Sequence, residues 1–283
     1  MSASVSQANN GVVIHPTAHV EDGAELGEGV KIGPFCHVTQ KVVLGDRVEL
    51  KSHAVVCNDT HIGDDSVVFS HAVVGSEPQN IAYKGEDTIL RVGKRVTIRE
   101  GVTMNIGTGN SLGKTVVGND CMFLAYAHVA HDCVLGNNVL FANNVMIGGH
   151  TTIGDHVIVG GGAGIHQFCT VGHHAFIGGV TAVVSDVIPY GMVVGSRGYL
   201  SGLNLVGMKR TGMSRDDINA VRNGYKALFV ENGKTMRENA HGLLETFKDS
   251  APVVEMANFV LRDTKRKFMT PLSGGRGRGQ SSD

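Results

Sequence analysis

Tryptophan is missing from this chain, and aromatic residues of all kinds make up only 5% of its 283 residues. A core filled by large rings is therefore excluded, and whatever is buried must be small and aliphatic. An excess of charge of one sign is lacking too: 25 Lys and Arg stand against 26 Asp and Glu, a net charge of -1, so no basic field points to nucleic acid. No apolar run approaches the roughly 18 residues that a membrane helix needs. Met1 to Asn10 is polar, so neither a signal peptide nor a transmembrane segment is expected, and the protein is expected to be cytoplasmic. Cysteines number five, without a CxxC pair or a Cys/His zinc spacing. Cys36, Cys121, Cys133 and Cys169 fall on the small core position of the repeat described next, and read as buried free thiols in a reducing compartment.

What the chain has in plenty is glycine, with 39 residues, and a step of six. From Ile14 an aliphatic residue recurs at Val20, Leu26, Ile32, Val38, Leu44, Leu50, Val56, Ile62, Val68 and Val74. A second register runs from Val117 through Phe123, Val129, Leu135, Phe141 and Ile147 to Val183, and Gly often follows the aliphatic residue, as in Ile32-Gly33 and Leu135-Gly136. Such hexapeptides are the signature of a parallel β-helix, in which three flat sides complete a triangular coil of about eighteen residues and stacked coils lie about 4.8 Å apart. The expected fold is a β-solenoid, a left-handed parallel β-helix of hexapeptide repeats over residues 11-198, with a C-terminal α-helical domain over 199-270 and a disordered tail over 271-283.

Two breaks interrupt the sixes. Between Val74 and Val92 the core positions would fall on Asn80 and Glu86, so Gly75 to Gly85 reads as a loop. A second loop spans Asn105 to Thr115 and shifts the phase by one residue. Insertions in solenoids cluster on one face, often the binding face. After Pro189 helical patterning begins. Ser214 with Asp217 and Thr235 with Glu238 read as helix starts, the second helix ending near Pro252, and a third helix is expected from about Val253 to Lys267.

Chemistry concentrates in Ala127 to Gly136, where His128, His131 and Asp132 interrupt the repeat. One coil beyond His131 comes Gly149, and one more brings Gln167, so His131, Gly149-His150 and His166-Gln167 stack on one edge. Outward positions of a β-helix are often polar, and fourteen histidines give accidental stacks such as His53 and His71. A His followed by Asp nevertheless suits a general base, because a carboxylate orients the imidazole and stabilises the imidazolium. A glycine amide one coil away can meet a developing oxyanion. No Ser or Cys nucleophile stands beside His131, which favours direct attack by a substrate hydroxyl.

The ordered set Ile32-Gly33-Pro34-Phe35-Cys36, Pro78-Gln79, Tyr83-Lys84-Gly85-Glu86, Ile98-Arg99-Glu100, Ala127 to Cys133, Ala142-Asn143-Asn144, Gly149-His150, Ile165-His166-Gln167-Phe168 and Gly207-Met208-Lys209-Arg210 resembles the UDP-N-acetylglucosamine O-acyltransferases of lipid A biosynthesis. The resemblance implies a cytoplasmic homotrimer with sites between neighbouring β-helices, no cofactor and no metal. There the 3-hydroxyl of UDP-N-acetylglucosamine attacks the thioester of a 3-hydroxyacyl carrier protein. It also implies His131 as base, Asp132 as its partner and Gly149 as the oxyanion amide. Gln79, Asn80, His128, His150, His166, Gln167, Asn204 and Arg210 would bind substrate, and Gly179 would set acyl length, a glycine leaving room for a long chain. Asn80 and Ala82 replace an acid and a lysine common in the family loop; Asn105, Val206 and Thr211 also depart from the pattern. An altered acceptor pocket suits a 3-amino sugar nucleotide and an amide product as the alternative. A zinc-dependent hexapeptide enzyme using three interfacial histidines and a purely structural β-helix are the further rivals. The basic residues Arg262, Lys265, Arg266 and Lys267 read either as a carrier-protein dock or as a solvated helix face.

Overall fold

A computed structural model of the chain describes residues 6–7, 10–230 and 232–272. The tail expected from 271 therefore lies, from residue 273 on, outside the described residues. Among those described, strands of mostly two residues form three sheets of twelve, eight and nine strands. One coil takes one strand from each sheet, as Val134–Leu135, Leu140–Phe141 and Met146–Ile147 do. Within each pair the second residue points inward and is buried, while the first points out. This two-residue alternation, repeated every six residues, is what the aliphatic step records.

Coils stack in parallel register, eighteen residues apart, as in Val134 to Thr152 to Thr170. The result is a left-handed parallel β-helix. Its core is a set of columns of Val, Ile and Leu with single larger rings at Phe123 and Phe141, packed edge to face at 5.2 Å between centroids. Cys36, Cys121, Cys133 and Cys169 are buried in these columns as free thiols, and Cys57 is half-buried.

The corners between sheets place one residue of each turn in the left-handed backbone region. Asp132, His150 and Phe168 occupy it in successive coils, at φ of 58°, 61° and 65°. Asn, Asp and His tolerate this conformation better than most side chains, which explains why they populate the corners. Each corner is tied to the one before it: the His150 N–H donates to the His131 carbonyl, and the Phe168 N–H to the Gly149 carbonyl, both at 3.0 Å. Polar side chains at a corner are thus stacked coil upon coil by backbone bonding alone.

Both expected loops are present as insertions. Asp59 pairs with Ile89, thirty residues on, and Ile89 pairs with Lys114, twenty-five on, where an undisturbed coil needs eighteen. The second insertion leaves the one-residue phase shift in the repeat.

Past residue 198 the strand Tyr199–Leu203 folds back antiparallel on Gly191–Val194 and closes the longest sheet. Four helices follow: α1 (Leu205–Arg210), α2 (Arg215–Leu228), α3 (Met236–Thr246) and α4 (Ala251–Leu261). Ser214 caps α2 by accepting from the Asp217 N–H, and Thr235 with Glu238 forms a reciprocal capping box on α3. Two details differ from the sequence expectation. Pro252 lies in the first turn of α4, where its missing N–H costs nothing, instead of closing α3. And α4 ends at Leu261, well short of Lys267, because Arg262 turns extended and carries the chain back to the β-helix. There Asp186 and Phe268 form a bridge, and the wholly buried Asp186 carboxylate pairs with both Arg262 and Arg266. The basic cluster is accordingly not one solvated helix face, since two of its four cations hold the helical unit onto the last coil.

Candidate active site

The edge carrying His131 is assembled from a corner of the β-helix and both inserted loops. Strand His128–Val129 delivers the corner Ala130 to Cys133, and Asp132 sits there with its side chain fully buried. A buried carboxylate must be compensated, and this one is. Asp132 accepts from the Thr108 N–H at 3.2 Å and the Thr108 hydroxyl at 2.6 Å, both from the second loop, and from His131 Nδ1–H at 2.8 Å. Its backbone N–H donates to the buried Thr115 hydroxyl. Burial pushes this carboxyl upward, but the bonds from Thr108 and His131 outweigh it and hold the group below its ordinary range.

Because Asp132 accepts at Nδ1, the His131 lone pair is on Nε2. The ring is only 12% exposed and lies flat against Gly149, where a Cβ would fall 2.7 Å from Cε1 and 2.8 Å from Nε2. Only glycine fits there. The Gly149 N–H makes no hydrogen bond within the described residues. From the first loop, Asn80 brings its amide to 3.5 Å from His131 Nε2. His150, one coil up, packs edge-on to His131 at 5.0 Å, stacks on Phe168 at 4.4 Å, and bonds Ser111 of the second loop. His128 bonds Thr103 at 2.7 Å. Burial lowers the pKa of both His128 and His150, keeping them neutral.

A cleft of about 580 Å³ opens beside this group. Its polar lining is Gln79, Asn105, His128, His131, His166 and Gln167, and its apolar lining includes Met146, Ile165, Ala182, Val183 and Val184. Asn105 donates to the Ser76 hydroxyl and the Glu77 carbonyl, fixing the root of the first loop. Its own carbonyl oxygen is buried without a partner among the described residues.

Of the residues singled out from sequence, His131, Asp132, Gly149, Gln79, Asn80, His128, His150, His166 and Gln167 come together here. Three do not. Gly179 lies along the neighbouring corner column against the Gly161 carbonyl. Asn204 caps α1 and bonds the His174 carbonyl, and Arg210 ends the same helix, so both sit by a different corner of the triangular coil. Sequence reasoning missed Thr108, Thr115 and Ser111, which hold Asp132 and His150; the phase break at Asn105 to Thr115 was their only signal.

Donor atoms of His131, Asp132 and His150 approach within 4.8 Å of one another, near enough to consider a metal. Asp132, however, already spends its oxygens on Thr108 and His131, and His166 is not among these converging donors. The donor set therefore fits an oriented base better than three imidazoles on zinc.

Known proteins resemble this chain in family and in fold. Residues 9–40 and 114–149 match the six-repeat bacterial transferase hexapeptide family, and residues 186–269 match the second domain of the UDP-N-acetylglucosamine O-acyltransferase family. An acyl-(acyl-carrier-protein)–UDP-N-acetylglucosamine O-acyltransferase of Bartonella henselae is 53% identical over 262 residues, covering 93% of this chain and 95% of its own. Its namesake in Sinorhizobium fredii is 52% identical over 264 residues, covering 93% and 97%. Among solved structures, the UDP-N-acetylglucosamine acyltransferase from Campylobacter jejuni superposes with a TM-score of 0.86 at 39% identity, covering 92% of this chain and all of that one.

Proposed function

The chain belongs to the acyl-(acyl-carrier-protein)–UDP-N-acetylglucosamine O-acyltransferase family, and we propose that the His131 edge is where its acyl transfer takes place. The enzyme moves a 3-hydroxyacyl chain from acyl carrier protein to the 3-hydroxyl of UDP-N-acetylglucosamine, the first step of lipid A biosynthesis. The observation that carries the site reading is the Asp132–His131 pair, whose Nε2 lone pair faces the cleft beside an unbonded glycine amide.

In this reading the sugar 3-hydroxyl replaces Asn80 at His131 Nε2 and loses its proton there as its oxygen attacks the thioester carbonyl. The carbonyl electrons move onto oxygen, and the resulting oxyanion is met by the Gly149 N–H. Collapse breaks the C–S bond, and the imidazolium returns its proton to the departing thiolate, so His131 ends as it began. Asp132 holds the ring and favours the charged intermediate form without itself taking the proton. The apolar lining of the cleft, from Met146 to Val184, takes the acyl chain, and the unpartnered oxygen of Asn105 accepts a donor from the sugar.

Asn204 and Arg210 contribute only if a second copy presents its own helix α1 to this cleft. Their place at another corner supports a homotrimer with sites between subunits, and exposed apolar residues on the cleft face, Met146 at 57% and Val184 at 58%, suit such contact. No helix among the described residues is long and apolar enough to cross a membrane, which accords with a cytoplasmic enzyme meeting a soluble carrier protein.

A mass-spectrometric assay with 3-hydroxyacyl carrier proteins of graded length tests the reading, using UDP-N-acetylglucosamine beside its 3-amino analogue. Ester product from the former, made by a trimer in light scattering, is the expected result. Product from the amino sugar alone would reassign the acceptor, with Asn80 the first residue to exchange.

A further inference from the structure

The outward row that passes through His128 begins with two more histidines. Following the paired strands back from His128 leads to Thr103, Val73, Val55, His37 and His19. At about 4.8 Å per strand, His37 stands about 20 Å from the catalytic edge. Here the rings of His19 and His37 face each other, their centroids 5.2 Å apart. Glu21, from the corner following His19, sets its Oε1 2.9 Å from His37 Nε2. Its other oxygen accepts from the Gln40 N–H at 3.1 Å, which fixes the carboxylate plane. The backbone under all three is pinned to the next coil, by His19 N–H to Cys36, Glu21 N–H to Val38 and His37 N–H to Ala54.

We infer that His19, Glu21 and His37 form a binding site for a first-row divalent metal ion of the zinc type, outside the acyl-transfer site. Donor atoms of all three already lie within 4.8 Å of one another. Zinc lengths of about 2.0–2.2 Å to nitrogen and oxygen put tetrahedral ligands roughly 3.4 Å apart. The Glu21–His37 pair, hydrogen-bonded at 2.9 Å, opens by about 0.5 Å as the ion takes the place of the shared proton, and a modest side-chain rotation of exposed His19 brings in the third donor. Two imidazoles and a carboxylate are donors that zinc, nickel and copper accept and that magnesium and calcium do not favour. The Gln40 amide is the outer-shell partner that such a carboxylate needs. Entry is open, since His37 and Glu21 side chains are 43% and 35% exposed, and water completes the shell.

The ion would fasten the first coil to the second. That end needs it, because Ile14, Val20 and Leu26 are only partly buried while the corresponding residues of later coils are fully covered. A ligand that binds the folded chain and not the unfolded one raises the melting temperature.

The test is a zinc titration by calorimetry on untagged, chelator-stripped full-length protein, with cobalt(II) absorption as an independent reading of coordination. His19→Ala, His37→Ala and Glu21→Gln remove single ligands, and His131→Ala controls for the other histidine cluster. Outward positions let the variants fold, which metal-free melting curves check; His37→Gln stands in should His37→Ala melt early. One ion per chain is expected, retained in His131→Ala and raising the melting temperature. Removing a ligand should weaken binding by more than the roughly 10–100-fold that loss of an outer-shell partner brings. Absence of binding, or binding that survives His37→Ala and His19→Ala but not His131→Ala, overturns the inference.

Discussion

Asp132→Asn is the most informative single change in the site, because it keeps the shape and removes the charge. The carboxylate accepts three bonds: the Thr108 N–H on Oδ1, and the Thr108 hydroxyl and His131 Nδ1–H on Oδ2. An asparagine can point its oxygen toward only one of these positions. Turned toward His131, it would set its NH2 against the Thr108 N–H, two donors face to face in a buried place. It therefore keeps its oxygen on the Thr108 N–H and offers NH2 to His131, while the Thr108 hydroxyl rotates to accept. Nδ1 must then carry the lone pair, and Nε2, facing the cleft, carries the proton. The base is lost through the tautomer although every side chain remains in place. General-base catalysis contributes about 10²–10⁴ in rate, or roughly 2.7–5.4 kcal/mol at 1.36 kcal/mol per decade. Steady-state transfer should fall by about that factor in kcat, with substrate KM and thermal melting little changed. A variant within about threefold of the parent in kcat would falsify the assignment of Asp132 as the group that sets the His131 tautomer.

Three further outcomes follow from the same geometry. Gly149→Ala places a methyl 2.7–3.1 Å from three ring atoms of His131, so it should cost about 10²-fold or more in kcat in a folded protein; a near-normal rate would show that the ring has room to move. Asp186→Ala leaves Arg262 and Arg266 without their buried counter-charge and should destabilise the chain by about 3–5 kcal/mol in urea denaturation, unfastening the helical unit first by hydrogen exchange. His174, whose pKa burial and the neighbouring His173 and His156 lower to about 4, is neutral when folded and binds a proton more readily when unfolded. Stability should therefore be complete above the unfolded value of about 6.5 and fall as pH drops from there toward 4. His174→Gln should flatten that fall by up to one proton per chain, and an unchanged slope would contradict it.

The β-helix was legible because its core spacing is written directly along the chain. An inward residue every sixth position needs no knowledge of distant partners, and Gly149 could be set above His131 by counting coils. The loops were visible only as places where counting failed. Their contacts were not: Thr108 reaches Asp132 across 24 residues and Ser111 reaches His150 across 39, and no periodicity links them. Helix α1 is six residues long, too short to show a repeat. Pro252 was open to two readings, since proline both follows helices and starts them. The basic cluster misled for a different reason. Charge counted along a sequence ignores a buried acid elsewhere, and Asp186, lying 76 residues before Arg262, was the missing partner.

The measurement that bears most directly on the whole account is single-turnover acyl transfer by His131→Ala, with 3-hydroxyacyl carrier protein and UDP-N-acetylglucosamine both saturating. Saturation removes binding from the comparison, so the rate reports the chemical step alone. A fall of about 10²–10⁴ in that step, with unaltered melting and trimer mass, is the predicted result. A rate within about tenfold of the parent would mean that the proton leaves the sugar hydroxyl by another route, and that the Asp132–His131 edge is scaffold.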